Sequence, residues 1–552
     1  MKNNPFSKEQ KRFSVCVPAY GDAWATFPQL FHALNSQDYQ HFEVIVVFDG
    51  ANKKGELMLK KEIELYPKLS VRSKVITHGG ACAARNAAAK LATGDYLTFL
   101  DADVYPKSET FRQWANAFEE NPDKDVVWGL YSFIQGDKSY SIPDSIPKDA
   151  AGKPDYWAMR FQNYISSMFP VRREAYIGWD ETVQSLQDWD MWMRMLILDN
   201  FKGDKFLYIP KSFCLTEMVK EGGISSDSHK NWLERRKYVM EKNGIPRSKI
   251  CVTSLGAPWH GLHAAKKLGA DYLPMPSFKE HDYEAIYLLG FYPGPGGPTK
   301  SHLAVFAEPG RIRDDERGLP EVQQYFKGRK LIHWIGTDIL KMRTEVPFVT
   351  IKYLKDLWNE NDFTLLTESQ SPHDELLEIG LDTRIAPIPP DTLYDPMELP
   401  EKFTVGIYEN ATQNMYHEEL MENVARAMPD IQFYFFGDET KKGRKTDNTE
   451  HLGWINLADW MPKFSCNVRV TIHDGLPITP LQFMTAGRSV VSNFAMVGAI
   501  KVEADRKEII EAIRTAQNSP IDPKVSKYWK KELDFTKYEK VIKELCKPLK
   551  SN

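Results

Sequence analysis

The sequence predicts an α/β protein made of three successive parallel-sheet units. Three observations predict this. Short apolar, β-branched runs alternate with helix-like segments. The runs are apolar throughout, as strands buried on both faces are. The alternation also restarts twice, near residues 249 and 403. The 552 residues leave room for three to four folding units, at roughly 150 residues each. Hydrophobic residues make up 42% and charged residues 26%, a composition that excludes a disordered or fibrous protein. No apolar run reaches the roughly 18 residues of a membrane span. The opening MKNNPFSKEQKRF lacks the apolar core of a signal peptide. A cytoplasmic protein is expected, with peripheral membrane contact as the alternative. The net charge of −4 argues against global affinity for a phosphate backbone but leaves a local basic groove open. Six scattered cysteines with no CxxC pair argue against a disulfide scaffold or a zinc ribbon.

In the first unit, 1–245, strands are expected at 13–17 (FSVCV), 42–47 (FEVIVV), 74–77 (KVIT) and 96–100 (YLTFL). Helices are expected at 26–37 and 81–92. The turn chemistry of KNGIPR (242–247) closes this unit. The second, 246–395, opens with the strand KICVTSL (249–255) and a helix through AAKKLGA; strands follow at 284–290, 330–335, 363–367 and 384–388. The loop FYPGPGGPTK (291–300) is rich in proline and glycine. The proline-rich IPPDTLYDPMELP reads as a hinge to the third unit, 396–552. That unit has FTVGIY (403–408), a helix at 417–428, IQFYFF (431–436) and a strand near 468–472. From Lys524 onward the chain is rich in lysine and aromatic residues and reads as helical, its charges forming a solvated face, with a membrane or nucleic-acid contact as the alternative.

The strongest chemical signal is Asp101-Ala102-Asp103 after the strand YLTFL. Two carboxylates one residue apart at a strand's end lie in the crevice where open α/β sheets bind ligands. Hard oxygen donors suit Mg²⁺ or Mn²⁺ bridging substrate phosphates. The bland alternative is a turn or a helix cap. Around this pair stand Pro18-Ala19-Tyr20-Gly21, Asp49-Gly50, Arg85-Asn86 and Gln187-Asp188-Trp189-Asp190-Met191-Trp192-Met193-Arg194.

Taken in that order, these segments resemble the inverting, nucleotide-sugar-dependent family-2 glycosyltransferases of GT-A fold, over roughly residues 10–240. The resemblance implies that Asp49 contacts the nucleotide base, with Pro18, Ala19 and Tyr20 lining its pocket. It implies Arg85 near the phosphates, Asp101 beside the ribose or metal and Asp103 as a direct metal ligand. Asp188 matches the catalytic base; the acid that usually precedes it is here Gln187. His229 is the candidate third metal ligand. Trp189 and Trp192 are candidates for an acceptor or base floor, with an aromatic helix core as the bland reading. Asp190 either orients the acceptor or caps the helix. Such chemistry needs a cation to neutralise the departing diphosphate and a carboxylate to take the acceptor's proton.

In the C-terminal half, DGLPITPLQFMTAGRSVVSN (474–493), with HWIGTD, TES, FTVGIY and FYFFGD, resembles the retaining family-4 glycosyltransferases of GT-B fold, over roughly 249–520. The resemblance implies two Rossmann-like halves with a donor cleft between them. Asp474, Gly475, Gln482 and Arg488 are the candidate donor site. The family's two glutamates are here Asp474 and Gln482, and its basic pair after the strand glycine is missing. Arg488 and the KKGRK cluster (441–445) are the available substitutes.

The leading functional reading is a bifunctional glycosyltransferase. Its N-terminal module is metal-dependent and inverting; its C-terminal module adds a second sugar or binds the acceptor. A UDP-sugar is the expected donor, and Mn²⁺ or Mg²⁺ the expected metal. The acceptor is a glycan, a lipid-linked oligosaccharide, a protein or a modified DNA base of the phage type. A non-catalytic carbohydrate- or nucleotide-binding scaffold is the reading from a different class. A dinucleotide oxidoreductase is discounted, because no G-x-G-x-x-G follows a strand with an acid about 20 residues on.

Overall fold

The computed structural model describes residues 11–135, 138–142, 146–148, 153–217, 232–255, 258–273, 283–294, 312–314, 320–322, 326–410, 415–518 and 521–548. The chain divides into two compact units. Unit 1 holds residues 1–147 and 154–246; unit 2 holds 148–153 and 247–552.

Unit 1 is built on a nine-stranded sheet. Its strands are β1 (Phe13–Ala19), β2 (Phe42–Asp49), β3 (Ser70–Ile76), β4 (Tyr96–Phe99), β5 (Val104–Pro106), β6 (Val126–Gln135), β7 (Lys138–Ile142), β8 (Val171–Arg172) and β9 (Phe206–Glu217). They lie in the order β3-β2-β1-β4-β8-β6-β9-β5, with β7 on β6. The first four are parallel. β1 and β2 are buried along almost their whole length, in keeping with their unbroken apolar runs. β3 is an edge strand, largely exposed and carrying Arg72 and Lys74. The second half of the sheet is mixed: β8 pairs antiparallel with β4, and β5 antiparallel with β9. β9 contains Pro210, which cannot donate to a ladder. The β6–β9 register slips beside it, between Gly129 and Tyr131. Gly129 passes so close to the Ile209 carbonyl that a Cβ there would stand 2.4 Å from its oxygen. Behind the sheet, Phe13, Phe111 and Trp114 stack in an aromatic core.

Unit 2 contains two parallel six-stranded sheets and a two-stranded ribbon. The first comprises β10 (Ile250–Ser254), β11 (Asp271–Tyr272), β12 (Ala285–Leu289), β15 (Arg329–Trp334), β16 (Phe363–Thr367) and β17 (Arg384–Ile385). Its order is β11-β10-β12-β15-β16-β17. The ribbon is β13 (Ile312–Asp314) with β14 (Pro320–Val322). The second sheet comprises β18 (Thr404–Tyr408), β19 (Gln432–Phe436), β20 (Thr449–His451), β21 (Cys466–Arg469), β22 (Ser489–Ser492) and β23 (Ile500–Lys501). Its order, β20-β19-β18-β21-β22-β23, is the doubly wound order of dinucleotide-binding folds. The C-terminal helix Phe535–Leu545 returns to the first sheet. There Tyr538 and Tyr287 share a hydroxyl hydrogen bond of 3.0 Å, and Arg329 Nε donates to the Leu545 carbonyl.

Candidate functional site

In unit 1 the parallel strands β2, β1 and β4 end at one edge of the sheet, and the direction of winding reverses between β1 and β4. Ligands of open α/β sheets bind at such a switch point. Three of the sequence-predicted groups therefore come from adjacent strand ends: Tyr20 after β1, Asp49 at the end of β2, and Asp101 just past β4.

Asp49 is buried and faces the loop that begins the helix Ala81–Leu91. Gly79 N donates to its Oδ1 at 2.7 Å and Gly80 N to its Oδ2 at 2.9 Å, with His78 Nδ1 also 2.9 Å from Oδ2. Gly50 turns the chain away at φ +97°, a conformation that costs a glycine little. His78 lies flat against Tyr20, ring centres 4.7 Å apart, and Tyr20 is exposed. Ala19 is buried and Pro18 half-buried within β1, so they shape the floor through backbone and packing. His78 went unnoticed in the sequence; its position before two glycines at a helix start is the signal that could have found it.

Arg85 is the hub of the site. It is buried, donates to Asp101 Oδ1 and to Gln187 Oε1, each at 2.7 Å, and lies 4.8 Å from the centre of the Trp179 ring. Burial works against its charge, but the Asp101 carboxylate more than offsets this and holds its pKa above the usual value. Gln187, standing where an acid was expected, thus accepts from Arg85 without adding charge. It starts the helix Gln187–Ile197, preceded by Leu186 in the left-handed region at φ 58°. A non-glycine residue there costs of order 1–3 kcal/mol and marks sites where the surroundings impose geometry. Asp188 follows in the first turn, with Trp189 N donating to its Oδ1 at 2.9 Å. Desolvation raises its pKa. The Trp189 amide and Arg85 oppose this, Asp101 adds to it, and the net shift is upward. The segments ARN, DAD and QDWD are therefore brought together.

Asp101 and Asp103 sit on the turn between β4 and β5, closed by Val104 N donating to the Asp101 carbonyl at 3.0 Å. Ala102 between them is buried, while Asp101 is half-buried and Asp103 exposed. Two hard oxygen donors on a solvent-facing turn fit Mg²⁺ or Mn²⁺. Among the described residues no three metal-ligating side chains converge. His229 lies outside the described residues.

Three expected acceptor contacts are corrected by burial. Trp192 is fully buried, packed edge-on against Phe206. Trp189 is also buried, its Nε1 donating to the Met159 carbonyl. Asp190 is 1% exposed and tied up by Arg194, Lys242 and Asn243, at 2.9, 2.8 and 2.8 Å. These three hold the helix in place; they present no surface to an acceptor.

Residues 14–178 match the family model described as Glycosyl transferase family 2. Unit 1 carries a glycosyl transferase family 2 domain. An uncharacterized glycosyltransferase of Haemophilus influenzae is 24% identical over 220 residues, covering 39% of this chain and 71% of the relative. The poly(ribitol-phosphate) beta-glucosyltransferase of Bacillus spizizenii is 28% identical over 139 residues, covering 25% of this chain and 21% of the relative. The crystal structure of Staphylococcus aureus TarS 1-349 in complex with UDP-GlcNAc is 23% identical, with a TM-score of 0.33, covering 39% of this chain and 61% of that one.

Unit 2 holds a cavity of about 710 Å³. Its walls come from the strand ends of both sheets and from the start of the helix Ile478–Thr485. Asp474, Gly475 and Gln482 line it, with Glu368, Arg469 and His473. Gly475 packs against Gly336: a Cβ at Gly475 would stand 3.0 Å from Gly336 N and 2.9 Å from Glu368 Oε2. Arg488 is not there. It is fully buried and donates to the carbonyls of Met397 and Glu398, at 2.8 and 2.7 Å, stapling the segment that enters the second sheet. Lys441 of the KKGRK cluster pairs with Glu409 and Glu418. Among the described residues, Arg469 is an arginine that lines the cavity, one the sequence did not single out. It ends β21, pairs with Asp474 at 2.7 Å and lies 4.7 Å from the centre of the Tyr416 ring.

Proposed function

We propose that this chain is a two-module glycosyltransferase that moves a sugar from a nucleotide sugar to an acceptor hydroxyl. Unit 1 works with inversion and needs a divalent cation; the cavity of unit 2 takes a second nucleotide sugar or the acceptor. The observation that carries the reading is Arg85 bridging Asp101 and Gln187, which sets Asp188 beside the carboxylate turn. Asp49 keeps carboxylate lone pairs for a base N–H beyond the bonds it makes to the 78–80 loop, and the Tyr20–His78 pair offers a ring surface to that base. Arg85 adds positive charge beside the diphosphate. Asp101 and Asp103 would hold the cation, which neutralises the charge on the leaving diphosphate. Asp188 accepts the acceptor's hydroxyl proton as that oxygen attacks the anomeric carbon, a contribution of about 10²–10⁴-fold. Attack from the face opposite the diphosphate inverts the configuration.

The expected donor is a UDP-sugar. The name of the Bacillus spizizenii relative, a poly(ribitol-phosphate) beta-glucosyltransferase, favours a hydroxyl-rich polymer as acceptor. Lipid-linked, protein and modified-DNA acceptors belong in the same screen. The test is a panel of UDP-, GDP- and CMP-sugars with Mn²⁺, read by donor hydrolysis and by thermal shift. Hydrolysis of one donor, lost on Asp188→Asn, is the expected result. A panel with neither hydrolysis nor any nucleotide-dependent shift overturns the reading in favour of a scaffold.

A further inference from the structure

The cavity of unit 2 holds a carboxyl group where an anionic ligand would be expected. Glu368 follows β16 and is 5% exposed. Its Oε2 accepts from Leu476 N at 3.2 Å, the amide two residues ahead of the helix Ile478–Thr485. Backbone amides at a helix start attract phosphate oxygens; here they meet a side chain of the same protein. A second observation comes from the same cavity wall. His473 lines the same cavity and is 7% exposed; its Nε2 faces Glu375 at 3.1 Å, but its buried Nδ1 has no partner. A buried ring nitrogen without a partner is costly.

We propose that Glu368 is an acid latch on this cavity: it occupies the amide position of a ligand phosphate, so a phosphate-bearing ligand enters only when Glu368 is neutral or turned aside. The proposal rests on the reading of the cavity as a nucleotide-sugar site. Burial pushes the Glu368 pKa up to about 8; the Leu476 amide opposes this, and the charges of Asp338 and Asp474 reinforce it. The other titratable groups around it are His333 and Tyr287 from the first sheet and Tyr538 from the C-terminal helix. His260, His473 and Arg469 stand around the cavity, with Arg469 engaged by Asp474. A ligand phosphate adds negative charge beside Glu368 and favours its protonated form further. Binding therefore takes up a proton above pH 8 and none well below it.

The test uses the full chain in EDTA with UDP as probe. Hydrogen exchange of peptides covering 470–485 reports on the cavity, and each pH is compared with and without UDP. The expected result is protection at pH 7, with an apparent Kd about tenfold weaker at pH 9, since binding is lost in proportion to the ionised fraction. Glu368→Gln should bind with the same affinity at both pH values. Asp474→Asn removes a negative neighbour and releases Arg469, so it should move the loss to lower pH; this variant serves if Glu368→Gln does not fold. Absence of protection at pH 7 overturns the nucleotide reading of the cavity, and the latch with it. Protection with a flat pH response, or with a pH loss that persists in Glu368→Gln, overturns the latch alone.

Discussion

Asp188 is where the first unit's chemistry can be tested most directly. Asp188→Asn should lower transfer at least 100-fold, the lower end of what a positioned base supplies, with circular dichroism and Tm unchanged, because the side chain's hydrogen bond to Trp189 N can be kept by the amide oxygen. Its pH dependence has a defined sign. As the proposed base, Asp188 must be ionised, and its pKa is raised, first by burial and then by Asp101. The acid limb of the rate profile should therefore lie above the range of an exposed aspartate. Asp101→Asn removes that negative charge and frees Arg85, so the residual activity should show an acid limb at lower pH. An unmoved limb would separate Asp188 from the titration. Most of this corner was legible residue by residue, since short motifs at strand ends carry their chemistry in the residue type. His78 and Glu368 were not, because each meets a partner distant in sequence: His78 meets Asp49, 29 residues away, and Glu368 meets Leu476, 108 residues away.

At the scale of elements, the parallel strands were readable because burial on both faces leaves an apolar run; β1, β2 and β12 lie where their runs are. The mixed half of unit 1 was not, since β8 is two residues long and β9 carries Pro210 at a register slip. Helix interiors misled in another way. Trp189, Asp190 and Trp192 sit next to Asp188 in sequence, but their side chains are packed into the core. Asp190→Ala should leave Lys242 and Arg194 without their buried partner and cost about 3–5 kcal/mol, as breaking a buried ion pair does. Chemical denaturation should show this, while the KM for acceptor of the folded fraction stays put. A raised KM without loss of stability would return Asp190 to the acceptor site. Arg488→Ala should strip the carbonyls of Met397 and Glu398 of their donors, at about 1–3 kcal/mol for each group left unpaired. Its expected signature is faster proteolysis near 395–403, with donor hydrolysis by unit 1 unaltered.

For the whole molecule the question is whether the two proposed ligand sites work independently. Each lies within its own compact unit, and their recognition chemistry differs. Unit 1 presents a carboxylate turn that suits a hard cation, whereas the cavity of unit 2 is lined by Arg469, paired with Asp474, and by the chain that starts the helix Ile478–Thr485. Chelation should therefore separate them. EDTA should abolish donor hydrolysis and transfer by unit 1, and Mn²⁺ in excess should restore them, while UDP-induced protection of 470–485 persists throughout. Asp103→Ala should mimic chelation permanently without shifting Tm, since an exposed carboxylate on a turn contributes little to the fold. Asp474→Asn should leave hydrolysis by unit 1 intact and alter only the second site. If EDTA also erased the protection at 470–485, the cavity would depend on a cation that Arg469 was taken to replace. If instead Asp474→Asn halted all transfer, the second site would be an obligatory part of one reaction, holding its acceptor, and the two sites would form a single catalytic cycle.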